Sequence, residues 1–400
     1  GDGSNLINET DSQDKFYVRL DVDKSYALYG NYHTEELEKT EFSKYSRVLH
    51  GVKGRYETRD YQDGAKRGVS VTVLGSQNPQ SAAKDEMAAE GISGPYYLTH
   101  SSVLEYTERV VIEVRDKERP EVVLETKEKK RAQDYSIDYD RGRILFNQPI
   151  SSQDSEGNPV YIVVKYEYLL RTGEEGLDDN RIIGTRIEGR LVKPLTLGTT
   201  YVEEKDTEDW QLFGLDAKWK MVENAELYTE YATTERGDID AWKKETSAYK
   251  LEFDYKAPSL RSRFLRMEKA SWDRLKLKTY FRRIGTDFSN PDSVTEQGVE
   301  RYGLTADLGL TKYTTSILDF YHSHRLLAND TTRSGSLALK RKRGRLTTQG
   351  KYELKEYDDK SGLLADTREH IGSALLGWDW TKRLSSSLEH KRNWKEEMKS

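Results

Sequence analysis

The sequence predicts an all-β protein: an antiparallel up-and-down meander forming a transmembrane β-barrel, whole or incomplete, with a small inserted β-module. Three observations carry that expectation. From Arg181 to about Trp394, polar and apolar residues alternate at period two through about thirteen short runs, turn residues separate the runs, and the connections come in two lengths. In Ala248–Lys256, Tyr249, Leu251, Phe253 and Tyr255 share one face of a strand, while Lys250, Glu252, Asp254 and Lys256 share the other.

Taken in order, Phe16–Val22, Tyr26–Tyr32, Tyr45–Tyr56 and Gly68–Leu74 read as strands. Residues 76–94 shift to Ser, Gln, Asn, Pro, Ala and Gly and read as a linker with a short helical turn around Ala82–Ala89. Residues 1–94 therefore form a first unit of barrel-like strands and linker. Residues 95–159 read as the inserted module, plugging the lumen or projecting from it. Within it, Val110–Val114 and Val122–Leu124 are β-branched runs, and Asp134–Phe146 is a hairpin turning at Asp140–Gly142. A strand resumes at Val160–Leu170, so residues 160–400 form the meander of the barrel.

Composition narrows the class. Of 400 residues 33% are charged, and the mean hydropathy of -0.87 alone would suit a soluble or disordered chain. The 26 Tyr and 7 Trp against 9 Phe argue for an ordered chain with many half-wet rings, as at membrane interfaces or half-exposed sheets. Without cysteine, neither disulfides nor thiolate-bound metal hold the fold. No apolar run is long enough for a membrane helix, a test that leaves strand-built barrels untouched.

Tight turns fall at Lys193-Pro194, Glu223-Asn224, Ala257–Ser259, Thr311–Tyr313, Arg343-Gly344 and Lys382-Arg383. Longer polar loops fall at Glu203–Asp209, Glu235–Thr246, Leu327–Arg333 and Asp358–Arg368. Short turns at one end and long loops at the other are the habit of outer-membrane barrels. The alternation fails once, between Arg261 and Val299, where Ala270–Trp272 and Gly285–Val299 compete for one loop; the sequence does not repair it and leaves Arg261–Arg283 as either two strands or one long bent strand.

A barrel assigns each face a solvent. Phe213, Leu215, Trp219, Leu251, Phe253, Leu275, Leu277, Leu304, Leu308, Leu376 and Trp378 are expected to face lipid. Lys250, Glu252, Asp254, Lys276 and Lys278 are expected to face the lumen, with the lysines near the carboxylates if neighbouring strands pair. Ser336–Gly344 offers lipid only Leu337 and Leu339 before Arg341, a thin face given a cost of ~2–4 kcal/mol for a mid-bilayer cation. The net charge of -5 implies no strong ion selectivity.

Candidate sites have plainer readings. Alternation sets His322 and His324 beside Leu318 and Phe320, with Asp319 and Ser323 opposite, the wrong arrangement for a relay. Asp154–Asn158 resembles the start of a calcium loop without its later glutamate and reads as a polar turn. Lys340–Arg343 lacks interleaved aromatic residues, so contact with anionic headgroups suits it better than nucleic acid. No catalytic residue, cofactor or metal is expected.

Phe16–Leu20, Tyr29-Gly30-Asn31-Tyr32 and Asp134–Phe146, followed by a Tyr-rich meander, resemble the C-terminal parts of large, mostly uncharacterised outer-membrane β-barrel proteins of Gram-negative bacteria. The resemblance implies a barrel with an inserted module in the cell outer membrane. Its implied partners are outer-membrane lipid, the barrel-assembly machinery and other envelope proteins, with no nucleic acid. Very large secretion-translocon barrels carry comparable hairpins, which extends the expectation to protein export. The chain ends Trp394–Ser400 without a terminal aromatic residue, suggesting truncation before the last strands. The expected work is non-enzymatic: channel, translocation or surface assembly. The rivals are a soluble or surface-attached adhesion or scaffold protein, whose apolar face another sheet would cover, and a barrel-mouth hydrolase.

Overall fold

The computed structural model describes residues 18–58, 67–77, 80–116, 123–154, 157–169, 181–192, 194–205, 209–237, 245–257, 275–290, 292, 296–362, 365–381 and 384–397. Four strands come first: β1 (Val18–Val22), β2 (Ser25–His33), β3 (Val48–Glu57) and β4 (Gly68–Gln77). An inserted part follows, with β5 (Gln80–Ala88), β6 (Tyr96–Tyr97), β7 (Arg109–Arg115), β8 (Val123–Lys129), β9 (Tyr135–Asp138), β10 (Arg143–Phe146) and β11 (Val160–Leu169). The meander then runs through β12 (Arg181–Val192), β13 (Leu195–Lys205), β14 (Trp210–Val222), β15 (Ala225–Arg236), β16 (Ser247–Ala257) and β17 (Leu275–Ile284). It finishes with β18 (Val299–Gly309), β19 (Thr314–Arg325), β20 (Asp330–Arg343), β21 (Leu346–Asp359), β22 (Thr367–Asp379) and β23 (Ser385–Glu397).

The protein is all-β, and the helical structure among the described residues is one 3-10 turn at Glu35–Leu37. Sixteen strands form one antiparallel sheet in the order β1 to β4, then β12 to β23, each paired with its neighbours in sequence apart from the step across the insertion. The outer edges of β1 and β23 have no strand partner among the described residues. Tight turns recur at one end, as at 223–224 and at 344–345, where Gly344 takes the left-handed conformation such short hairpins favour. The opposite end carries 34–47, 237–246, 285–298 and the whole insertion.

Ladder partners climb as they cross the sheet. The row from Leu197, two residues into β13, passes Ala217, Thr229, Leu251, Phe281, Tyr302, His322, Arg333 and Glu356 to Arg368, eleven residues from the tight-turn end of β22. Nine steps thus climb nine residues, eleven less two. At ~3.3 Å per residue and ~4.8 Å between strands, this is a tilt of about 35°, within the barrel range.

The sheet is also curled. Glu36 pairs with Lys53 of β3 at 2.5 Å, and Glu41 pairs with Arg282 of β17 at 2.8 Å. Seven ladder steps separate β3 from β17, about 34 Å in a flat sheet. Five residues of chain reach at most ~18 Å, and side chains leave a sheet along its normal. The strands therefore bend around the segment that bridges them.

Several expectations need correction. Ala82–Ala88 is strand β5 and not a helical turn, because it pairs along its length with β11. β5 and β11 belong to a four-stranded sheet ordered β5, β11, β7, β8, so the sheet of the insertion begins at Gln80 and ends at Leu169, beyond both of the expected limits, 95 and 159. A three-stranded sheet, β6, β10, β9, packs with it around Val110, Ile112, Ile144, Phe146, Ile162 and Val164. The Asp134–Phe146 hairpin is present as β9 and β10. Leu327–Arg333 is not a long loop, since β20 starts at Asp330 and pairs back with Arg325. Tyr45–Arg47 lie outside β3, for a reason given below. Leu275–Ile284 is one strand and 285–298 joins it to β18 at the loop end. At the tight-turn end β16 stops at Ala257 and β17 starts at Leu275, so the two strands are not joined by the tight turn expected at Ala257–Ser259, and 258–274 lie outside the described residues. Ala270–Trp272 lie outside the described residues.

Candidate functional site

The inner face of the large sheet carries a built site where the connection between β2 and β3 folds back onto it. Seven of the fourteen residues 34–47 are charged, yet Leu37, Phe42 and Tyr45 among them are fully buried. Each such burial contributes roughly 1.5–3 kcal/mol. They join Leu49, Leu74, Val202, Leu212, Ala232 and Ala248, the inward residues near the loop end of their strands, in one core. Tyr45 stacks on Trp210 at 6.3 Å, and Phe42 meets Phe288 edge-on at 6.1 Å.

Backbone polarity is satisfied from the wall. Glu230 of β15, only 1% exposed, accepts the amide N–H of Glu41 at 3.0 Å, of Phe42 at 2.7 Å and of Ser43 at 2.9 Å. Gly214 of β14 lies directly beneath Ser43, and a Cβ there would overlap the serine side chain. Lys250 reaches Glu41 at 2.7 Å. Tyr45 donates to Glu204 at 2.5 Å, and Arg47 pairs with the same carboxylate at 3.1 Å. Burial alone would raise the Glu41 carboxyl; the charges of Arg282 and Lys250 outweigh it and hold the group below the usual carboxylate range. Glu36 is depressed likewise, with Lys53 overcoming burial.

The connection 285–298 closes over this segment. Asn290 donates to the carbonyls of Phe42 and Lys44 at 2.7 and 2.9 Å, and Asp292 accepts from the Ser46 N–H at 2.9 Å. Among the described residues the polar contacts on which the inserted sheets dock include Lys165 to Asp292 at 3.0 Å and the Val48 N–H to Glu167 at 3.2 Å. A cavity of about 450 Å³ remains at this junction, lined by charges of both signs, Glu35, Glu38, Arg47, Lys84, Glu108 and Lys165 among them.

The outer face is of another kind. Phe213, Leu215, Trp219, Leu251, Leu308, Leu376 and Trp378 lie on it and are exposed, and Phe253, Leu275, Leu277 and Leu304 lie on it half-buried. No second sheet of this chain covers them among the described residues. A belt of aromatic residues, Tyr201, Phe213, Tyr231, Tyr249, Phe281, Tyr302, Phe320 and Tyr352, crosses this face six to nine residues from the tight turns. Trp219, Tyr255 and Trp378 stand near the turns themselves. Beyond the belt come the first outward charges toward the loop end, Glu203, Glu235, Arg283, Glu300, Arg333 and Glu356. From β12 to β22, no outward residue between these charges and Arg341 at the turn border is charged. The thin Leu337-Leu339 face thus lies between Arg333 and Arg341.

Lys250, Glu252, Asp254, Lys276 and Lys278 lie on the inner face. Asp254 is the ladder partner of Lys278, whereas Lys276 stands between Lys256 and Asp307. His322 and His324 lie outward near the loop end, while Asp319 accepts from Thr305 at 2.7 Å and Ser323 from Arg301 at 3.1 Å, so no relay is assembled. Asp154 accepts from Asn158 in a polar turn. Lys342 pairs with Asp379 at 3.1 Å. Among the described residues, no group of three or more His, Asp or Glu is placed to hold a metal ion.

Sequence reading passed over segment 34–47, Glu230 and Gly214. The available signal was Leu37, Phe42 and Tyr45 in a connection too short for a core of its own. No protein-family model matches the chain, and no curated protein matches it.

Proposed function

We propose that this chain is an outer-membrane β-barrel that spans the bilayer with its large sheet and serves passage or surface assembly, with no catalysis of its own. One observation carries the reading: an uncharged outward band, bordered by charges and crossed by aromatic residues, continuous from β12 to β22. Eight to ten residues at the observed tilt give the band a height of ~22–27 Å, the thickness expected of a lipid-facing belt. Soluble monomers rarely expose a contiguous apolar patch beyond a few hundred Å². The rival soluble fold requires a covering layer over this face, and the chain supplies none among its described residues.

β1 runs toward the tight turns and β23 away from them, so pairing between the two would close sixteen strands antiparallel. Strand spacing and tilt give such a cylinder a radius of about 15 Å. β3 and β17 would then stand nearly opposite each other, and segment 34–47 would cross the lumen close to a diameter. Outward His390 and Arg392 on β23 interrupt the band, and on this reading protein rather than lipid covers that part of the strand. Fractionation tests the reading. The chain is expected in the detergent-extracted membrane fraction and to conduct ions in planar bilayers; extraction into detergent-free buffer with its strand spectrum intact overturns it.

A further inference from the structure

Segment 34–47 is held the way a receptor holds a peptide. Three successive amides converge on one carboxylate, Glu230, and one amide side chain, Asn290, takes two carbonyls of the same stretch. Side chains are read as well as backbone. Glu41 enters a clamp of Lys250 at 2.7 Å and Arg282 at 2.8 Å; Phe42 enters a closed slot against Phe288 with the Arg282 guanidinium 5.4 Å from its ring; Ser43 fits only because position 214 is glycine. Glu230 and Asn290 are each at least nine-tenths buried; beyond Tyr228 and Lys250 beside Glu230 and the Asp292 N–H on the Asn290 oxygen, the partners they meet belong to the segment. A plain space-filling loop needs apolar contact, not a buried acceptor for three consecutive donors.

We infer that Glu230, Asn290, Lys250, Arg282 and Gly214 form a peptide-binding site for extended segments with an acidic, an aromatic and a small residue in succession, and that Glu41-Phe42-Ser43 occupies it as an internal ligand. An incoming segment of the same pattern displaces it. The tether gives the internal ligand an effective concentration of about millimolar, so a competitor acts when presented at comparable local concentration, as a chain threading the lumen would be. The site stands on the inner face alone; its part in passage rests on the function proposed above.

The chain has no cysteine, so Ser43→Cys introduces a single thiol at a fully buried position. The probe is the synthetic peptide matching residues 38–46, added to the full chain in detergent micelles, with its Phe42→Ala version as control. Maleimide labelling is expected to be slow alone, to accelerate about tenfold or more with millimolar peptide, and to respond little to the control. An unchanged rate, or equal acceleration by both peptides, overturns the inference. A second measurement guards against a perturbed reporter. With residues 34–47 replaced by a Gly/Ser linker and the strand spectrum retained, the fluorescent peptide is expected to bind saturably and to weaken at least tenfold on Lys250→Ala with Arg282→Ala. Absence of binding to that folded variant overturns it. Neither readout involves lipid or conductance, so a protein that binds the peptide yet extracts into plain buffer refutes the barrel alone, and one that enters membranes without binding refutes the site alone.

Discussion

Across β14 to β16, the inner face near the loop end is sealed beneath segment 34–47, with Leu212, Ala232 and Ala248 wholly inaccessible. That segment does not reach β20 to β22, and inward burial there is sparser: Ala338, Glu353 and Ile371 are buried, while Lys340 and Lys342, nearer the tight turns, are exposed, as are residues 386–397 of β23. The outer faces of the two regions differ far less, for Leu251 on β16 and Leu337 on β20 are apolar and exposed alike. Strand pairing and outward composition thus repeat across the sheet, while the filling is local and specific. The wall answers to its solvent, and the filled region answers to one short segment and the residues that grip it.

The comparison breaks most severely at Glu230. Glu230→Ala leaves three buried amides without an acceptor, at ~1–3 kcal/mol each. Release of the segment is expected, read as loss of hydrogen-exchange protection at residues 41–43 and a several-fold rise in bilayer conductance. Lys340→Glu, where the segment does not reach, is expected to change conductance less than twofold. Protection that survives in Glu230→Ala would show that apolar packing alone holds the segment.

On the outer face, Leu251→Arg is expected to lower folding stability in lipid by ~2–4 kcal/mol, whereas Glu356→Arg, beyond the aromatic belt, should change it by less than about 1 kcal/mol. Equal effects at the two sites, in denaturant titrations from liposomes, would remove the band.

A smaller effect comes with pH. Folding depresses the carboxyls of Glu36 and Glu41, and also that of Glu296, where Arg301 outweighs burial. Each contributes its full stability above the unfolded value of ~4.3 and loses it as pH falls through the lower folded value. The ion pairs of Glu36, Glu41 and Glu296 are therefore expected to hold from neutral pH to about 5 and to be lost below about 4, seen as faster exchange at residues 41–43, while Glu230, which burial raises, acts in the opposite direction and limits the size of the effect. Loosening between pH 5 and 7 would contradict this.

The wall was legible in the sequence because alternation is a local property: Tyr249 to Lys256 states its two faces without knowledge of any neighbour. The division of Asp254 and Leu251 between faces follows from the same period. The filling was not legible, since Glu230 and the Glu41–Ser43 amides lie nearly two hundred residues apart and nothing local marks a strand glutamate as an acceptor for a distant loop. Tyr45 was read into a strand because its neighbours alternate, yet the stack on Trp210 and the bond to Glu204 hold it in the segment. β5 misled for the opposite reason: Ala82, Ala83 and Met87 suit a helix, and only the ladder with β11 decides.

The claim that the outer face meets lipid is tested most directly by nitroxide labels at single cysteines from position 249 to 255 on β16, in proteoliposomes, with oxygen and a water-soluble nickel chelate as relaxants. Labels at 249, 251, 253 and 255 should be relaxed by oxygen and shielded from nickel, and labels at 250, 252 and 254 the reverse or shielded from both. Nickel access at 251 and 253 equal to that at 252 and 254 would contradict the account.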